Sequence, residues 1–191
     1  MNLCRALIGS ALLPLVASCG SSPFTVNGTI NGSSLKPGDA VSALGAVAGA
    51  VASDSIPFNA AAVVLSNSSG LCASASSGKE PKSSQFLTLG LNDHTGNSPP
   101  SFFLGTYTVW PLTGPQPAKF VVVQYTLSDA NCLPVQSDRA ISGTVTITSI
   151  GNGDVSGNFD LTFDSGDHVS GSFSPKNCYT LFALLGNSTC G

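Results

Sequence analysis

The sequence predicts an all-β fold, an antiparallel β-sandwich or flattened barrel with a C-terminal three-stranded meander and a short C-terminal helical turn. Two patterns carry this expectation. Between residues 140 and 174 apolar side chains recur at even spacings: Ile141, Val145 and Ile147, then Val155, Phe159, Leu161 and Phe163, then Val169 and Phe173. The residues between them, such as Thr144, Thr146, Asn158, Asp160, Thr162, Ser170 and Ser172, are polar, which marks strands with one buried and one wet face. Clusters of Gly, Asn, Asp and Ser at 151–154 and 164–167 separate the three runs and supply the tight turns that antiparallel neighbours need.

The other elements follow from similar signals. Thr25 to Ile30 alternates as a first strand, and the turn residues Asn31, Gly32, Pro37, Gly38 and Asp39 follow it. Further strands are expected at Ala61 to Ser66, Gln85 to Asn92, Phe102 to Trp110 and Lys119 to Leu127, each rich in β-branched, aromatic or alternating residues. Pro99, Pro100, Pro111, Pro115 and Pro117 bound these strands, because proline lacks the ladder N–H. Residues 40–52 fit a helical stripe through Val41, Leu44, Val47 or Ala48, and Val51, with Asp39 near its start, but Val41, Val47 and Val51 also fit one face of a strand. Tyr179 to Leu185 reads as a turn or two of helix capping an open end of the sheet.

Composition limits the functional classes. The chain has 191 residues, which suits one core, and only 9% of them are charged. Its formal net charge is -3, with Lys and Arg scattered rather than clustered, so no basic stripe invites nucleic acid.

The N-terminal residues carry a targeting signal. Met1 to Ser18 contains a positive charge at Arg5, an apolar run from Ala6 to Val16 broken by Pro14, and small residues beyond it. The run is shorter than the roughly 20 residues that a membrane-spanning helix needs, so it reads as a signal peptide. Val16, Ala17, Ser18 and Cys19 resemble the bacterial lipobox, in which an aliphatic residue and two small residues precede the cysteine that accepts a diacylglyceryl group. The resemblance implies lipidation of Cys19, three acyl chains and attachment to a membrane. Each buried methylene of an acyl chain contributes about 0.8 kcal/mol, so such an anchor is effectively permanent. Gly20 and Ser21 stand where inner-membrane lipoproteins often carry Asp, which implies the outer membrane. The expected organisation is therefore a signal peptide at 1–18, a lipidated tether at 19–24 and a single β domain at 25–191. The related runs beginning at Val155 and Val169, Val-Ser-Gly-Asn-Phe and Val-Ser-Gly-Ser-Phe, resemble those of bacterial β-sandwich lipoproteins of unknown function.

Of the six cysteines, Cys4 leaves with the signal peptide and Cys19 takes lipid, so Cys72, Cys132, Cys178 and Cys190 remain. Export to an oxidising compartment favours two disulfides over a metal site, and no pair has the close spacing of a zinc knuckle. Three connectivities exist, and Cys72 with Cys132 and Cys178 with Cys190 is taken as the expectation.

Candidate chemistry is sparse. Asp93-His94 and Asp167-His168 each place a carboxylate beside an imidazole, the pairing from which a hydrolase base is often built, but adjacent strand residues point to opposite faces. Asp154, Asp160, Asp164 and Asp167 offer hard oxygen ligands suited to calcium, without the spacing or the closing Glu of an EF-hand. Tyr107, Trp110 and Phe103 form a candidate sugar-stacking platform that also reads as core. No nucleophile elbow, phosphate loop or dinucleotide fingerprint appears, so neither a cofactor nor a metal is expected. The leading expectation is an envelope lipoprotein with a structural or binding role and no catalytic activity, held to the membrane by Cys19, with a protein or glycan as the conceivable partner. A carbohydrate- or calcium-binding adhesive module and a hydrolase using His94 or His168 are the alternatives.

Overall fold

The computed structural model describes residues 22–45, 47–51, 54–58, 61–95, 104–152, 154–186 and 188–191. Along the chain the elements are β1 (Phe24–Gly28), β2 (Asp39–Leu44), β3 (Val47–Val51), β4 (Asp54–Phe58), β5 (Ala61–Ser66), α1 (Leu71–Ser77), β6 (Lys79–Glu80), β7 (Gln85–Asp93), β8 (Gly105–Val109), β9 (Lys119–Ser128), β10 (Pro134–Gly151), β11 (Asp154–Phe163), β12 (His168–Phe173), β13 (Lys176–Asn177), α2 (Leu181–Gly186) and β14 (Thr189–Cys190). The stretch 40–52, open between helix and strand in the sequence, is extended over its described residues, as β2 and β3. The signal peptide and Cys19 lie outside the described residues.

One curled, mainly antiparallel sheet dominates, with strand order β1-β12-β11-β10-β8-β9-β7-β5-β2-β13. Its curl turns on β10. The first part of that strand pairs with β9, Arg139 opposite Gln124, while its later part pairs with β8, Val145 opposite Tyr107. Between the two, the register against β11 slips from Ala140 to Ser142, a β-bulge that bends the strand. Gly143 makes the bend feasible: its φ is 120°, and a Cβ there would stand 2.2 Å from the Asp160 carbonyl oxygen. Strands β10, β11 and β12 pair in sequence order, Val145 against Phe159 and Leu161 against Val169, and β1 adds to β12 with Phe24 against Phe173.

The curl encloses an apolar interior to which both halves of the sheet contribute. Tyr107, Phe159, Leu161, Phe163 and Val169 come from one half, and Val63, Leu87, Leu89, Val123 and Tyr125 from the other; all are buried. A second apolar cluster lies on the outer face of β2, β5, β7 and β9, where Val41, Val64, Phe120 and Val122 pack beneath Leu71 and Ala75 of α1 and Leu181, Leu184 and Leu185 of α2. Strand β5 is consequently buried at all six positions. The outer face of β10, β11, β12, β1 and β8 has no such cover, and its Thr, Ser and Asn side chains are exposed or half-exposed.

Helix α1 is short and made largely of small residues, and its packing explains it better than its propensity. Leu71 and Ala75, four residues apart, face the sheet. Asp39 of β2 accepts the Leu71 N–H at 2.9 Å, so a cap for the first turn comes from a different strand. Gly78 closes the other end in the left-handed conformation.

Candidate functional site

The four cysteines of the folded region form two disulfides, Cys72–Cys178 and Cys132–Cys190, which corrects the expected pairing of Cys72 with Cys132 and Cys178 with Cys190. The reason is the path of the last residues. Only Ser174 and Pro175 separate β12 from β13, which pairs parallel with β2, so the curl brings the β2 edge of the sheet close to β12 there, and the Cys178 N–H donates to the Ser42 carbonyl. That places Cys178 beside α1, with a Cα–Cα distance of 5.6 Å to Cys72. The chain then runs back as β14, parallel to β6, and the Cys190 Cα stands 5.5 Å from that of Cys132 in the turn between β9 and β10. Cys178 and Cys190 thus reach different parts of the chain, and the C-terminal segment is stitched at two points, to α1 and to the β9–β10 turn.

The two Asp-His dipeptides do not bring their own side chains together. Asp93 is fully buried and turns to Thr95, whose N–H and hydroxyl both donate to Oδ1, and to Lys119, whose Nζ stands 3.2 Å from Oδ2. Burial pushes the Asp93 carboxyl up, but the Thr95 bonds and the Lys119 ammonium outweigh it and hold it below the usual carboxylate range. Lys119 also donates to the Leu104 carbonyl at 2.8 Å and lies 4.5 Å from the centre of the Tyr107 ring. His94 takes the other direction, its ring stacked on Phe120, against which Trp110 packs edge-on. In the second dipeptide Asp167 accepts the Asn31 N–H, while the exposed His168 Nε2 sits 2.9 Å from Asp160 Oδ1. Sequence reasoning missed both the Asp93–Lys119 and the His168–Asp160 pairs. Antiparallel registration of β7 with β9 makes Asp93 and Lys119 cross-strand partners, and nothing local announces that register.

The other candidates are also dispersed. Asp154 accepts the Asn177 N–H at 2.6 Å, whereas Asp160 faces His168 and Asp167 holds Asn31. Among the described residues no group of three or more His, Cys, Asp or Glu is arranged to hold a metal ion. Tyr107 is fully buried in the interior and Trp110 packs half-buried on the outer cluster, so they do not share a platform, and Phe103 lies outside the described residues.

What the molecule does present is its uncovered face. Register aligns Thr106, Thr146, Asn158, Ser172 and Thr25 in one row across β8, β10, β11, β12 and β1, and Thr108, Thr144, Asp160, Ser170 and Asn27 in the next. Neighbouring hydroxyls bond along the first row, Thr106 to Thr146 and Thr25 to Ser172, each at 3.0 Å. Spacing of about 4.8 Å between strands and about 6.7 Å along them makes this a regular array of small donors and acceptors with little charge.

No known protein family, characterised protein or solved structure was found to match this chain.

Proposed function

We propose that the chain is a cell-envelope lipoprotein, cleaved before Cys19 and lipidated there, whose β domain has a structural or binding role and no catalytic activity. The observation that supports this best is the division among the cysteines. All four in the folded region are paired, as suits an oxidising compartment, and the one cysteine at a lipobox position is Cys19. Among the described residues no helix is long and apolar enough to cross a membrane. Gly20 and Ser21 favour the outer membrane. The finer architecture we propose is an antiparallel β-sandwich or flattened barrel in which β10, β11 and β12 form the C-terminal meander. Replacing Cys19 with Ala tests the anchor: the variant is expected to leave the detergent-soluble membrane fraction, and a variant that partitions with membranes as the parent chain does would overturn the reading.

A second reading, a glycan-binding module, is favoured by the two aligned rows of hydroxyl and amide groups, which match the hydrogen-bonding character of a saccharide chain. Calorimetric titration against a glycan panel, with and without calcium, separates it from a purely structural role, heat of binding supporting it and silence removing it. The hydrolase reading on His94 or His168 draws support only from the exposed His168–Asp160 pair. It predicts turnover in a hydrolase screen that His168→Ala abolishes.

A further inference from the structure

We infer that the lipidated domain stands on one particular end, the one bearing Pro23, Leu44, Leu104 and Ile150, and that this end rests in the lipid headgroup region of the bilayer. The inference builds on the proposed anchor at Cys19 and adds an orientation to it.

The strand registers define the two ends of the sheet. Phe24 pairs with Phe173, Phe173 with Gly157, and Gly157 with Ile147, which is itself opposite Gly105. Strand β9 starts at this end with Lys119, β7 finishes there with Asp93, and β2 finishes there with Leu44, opposite Ala61. The chain enters the sheet at the same end, where the Pro23 carbonyl accepts the Ser174 N–H at 2.8 Å. Phe24 follows Cys19 by five positions, so the covalent link to the acyl chains reaches no further than about 18 Å even when fully extended. Such a length cannot carry the lipid around the domain to the opposite end. The tether therefore selects which end meets the membrane.

That end also has the right surface chemistry. Leu104 is 57% exposed, and Leu44 and Ile150 are each 37% exposed, contributed by three separate strands or strand approaches. Three of its charged groups are already engaged: Lys119 is bonded to Asp93 and to the Leu104 carbonyl, and Asp154 accepts the Asn177 N–H. Apolar side chains gain by leaving water, and pre-paired charges lose less on approaching a medium of lower dielectric. The opposite end also exposes apolar groups, Leu133 and Val135, each 61% exposed, but it lies beyond the tether's reach.

The test uses the full-length lipidated chain in its native membrane, with a photo-activatable benzoylphenylalanine placed at Leu104, at Ile150 or at Leu133. Irradiation is expected to give lipid adducts at 104 and 150 several-fold more often than at 133. Equal labelling at all three positions, or labelling confined to 133, overturns the orientation. The same mass spectra report the lipid on Cys19. An acylated chain without adducts at 104 and 150 defeats the orientation alone, whereas a chain without acyl groups on Cys19 defeats the anchor and the orientation together.

Discussion

The two halves of the curled sheet share one interior but differ on their outer faces. Strands β10, β11, β12 and β1 bury alternate residues and leave the others to water, as in β11, where Val155, Phe159 and Leu161 are buried while Asn158 and Asp160 are exposed. Strands β5, β7 and most of β9 are buried on both faces, because α1, α2 and the Cys72–Cys178 disulfide overlie them. One half follows a binary pattern enforced by solvent. The other follows a pattern enforced by a second layer of the same chain.

The largest expected effect breaks that second layer. Chain-entropy arguments applied to the 106-residue separation of Cys72 and Cys178 give a stabilisation of up to about 4.8 kcal/mol, and the 58-residue separation of Cys132 and Cys190 gives about 4.2 kcal/mol. Replacing Cys72 and Cys178 together with Ala is therefore expected to lower the unfolding free energy by a large fraction of a typical domain's stability, measured by urea denaturation. The Cys132, Cys190 pair should cost somewhat less. A loss below about 1 kcal/mol in the first variant would show that the outer layer is held by packing alone.

Matched substitutions on the two outer faces sharpen the contrast. Val122 is fully buried under the helices, so Val122→Asp places an uncompensated charge there and should cost about 3–5 kcal/mol. Thr146 occupies the uncovered face, where Thr146→Asp should stay within about 0.5 kcal/mol. Comparable losses in thermal melts of the two variants would mean that the two faces are not different environments.

The buried ion pair gives a smaller, pH-dependent effect. The Asp93 carboxyl is held below its ordinary range, so its contribution to stability is complete at and above that range and disappears as pH falls through the lowered folded value. Asp93→Asn leaves Lys119 without its carboxylate and should cost about 1–3 kcal/mol at neutral pH while flattening the acid limb of the stability curve. Glu80 behaves in the opposite sense. Burial raises it, the Ser188 hydroxyl opposing in part, so its contribution is complete below the ordinary glutamate range and is lost as pH rises through the folded value. Glu80→Gln is thus expected to raise the melting temperature slightly at neutral pH and to change nothing in acid, the smallest shift of the set.

The contrast between the halves also explains what the sequence revealed. Alternation in 140–174 exposes its faces directly, since water sorts the side chains at every second position. In the covered half the strands at Ala61 and Gln85 could be recognised as apolar runs, but not which face was inner, because both are buried. Helix α1 escaped notice: its seven residues are mostly Ser and Ala, and its cap, Asp39, comes from 32 positions earlier in the chain. The start of β10, from Pro134 to Arg139, was missed because its polar residues show no alternation until β9 lies beside them. The disulfide connectivity was illegible for a related reason, as it depends on the return of the last fifteen or so residues across the sheet. In the candidate chemistry, the opposite facing of Asp93 and His94 followed from strand geometry, whereas the pairing of Asp93 with Lys119 and of His168 with Asp160 required the register.

The anchored, doubly bridged domain is tested most sharply by the intact mass of the membrane-extracted protein before and after reduction, with a non-reducing peptide map. The expected result is a chain beginning at Cys19 with a di- or triacyl increment on that residue, a gain of four hydrogens on reduction, and crosslinked peptides joining Cys72 to Cys178 and Cys132 to Cys190. An uncleaved chain, or a cleaved chain with a free Cys19 thiol, would contradict the anchored-domain reading, and a Cys72–Cys132 peptide would contradict the stitched outer layer.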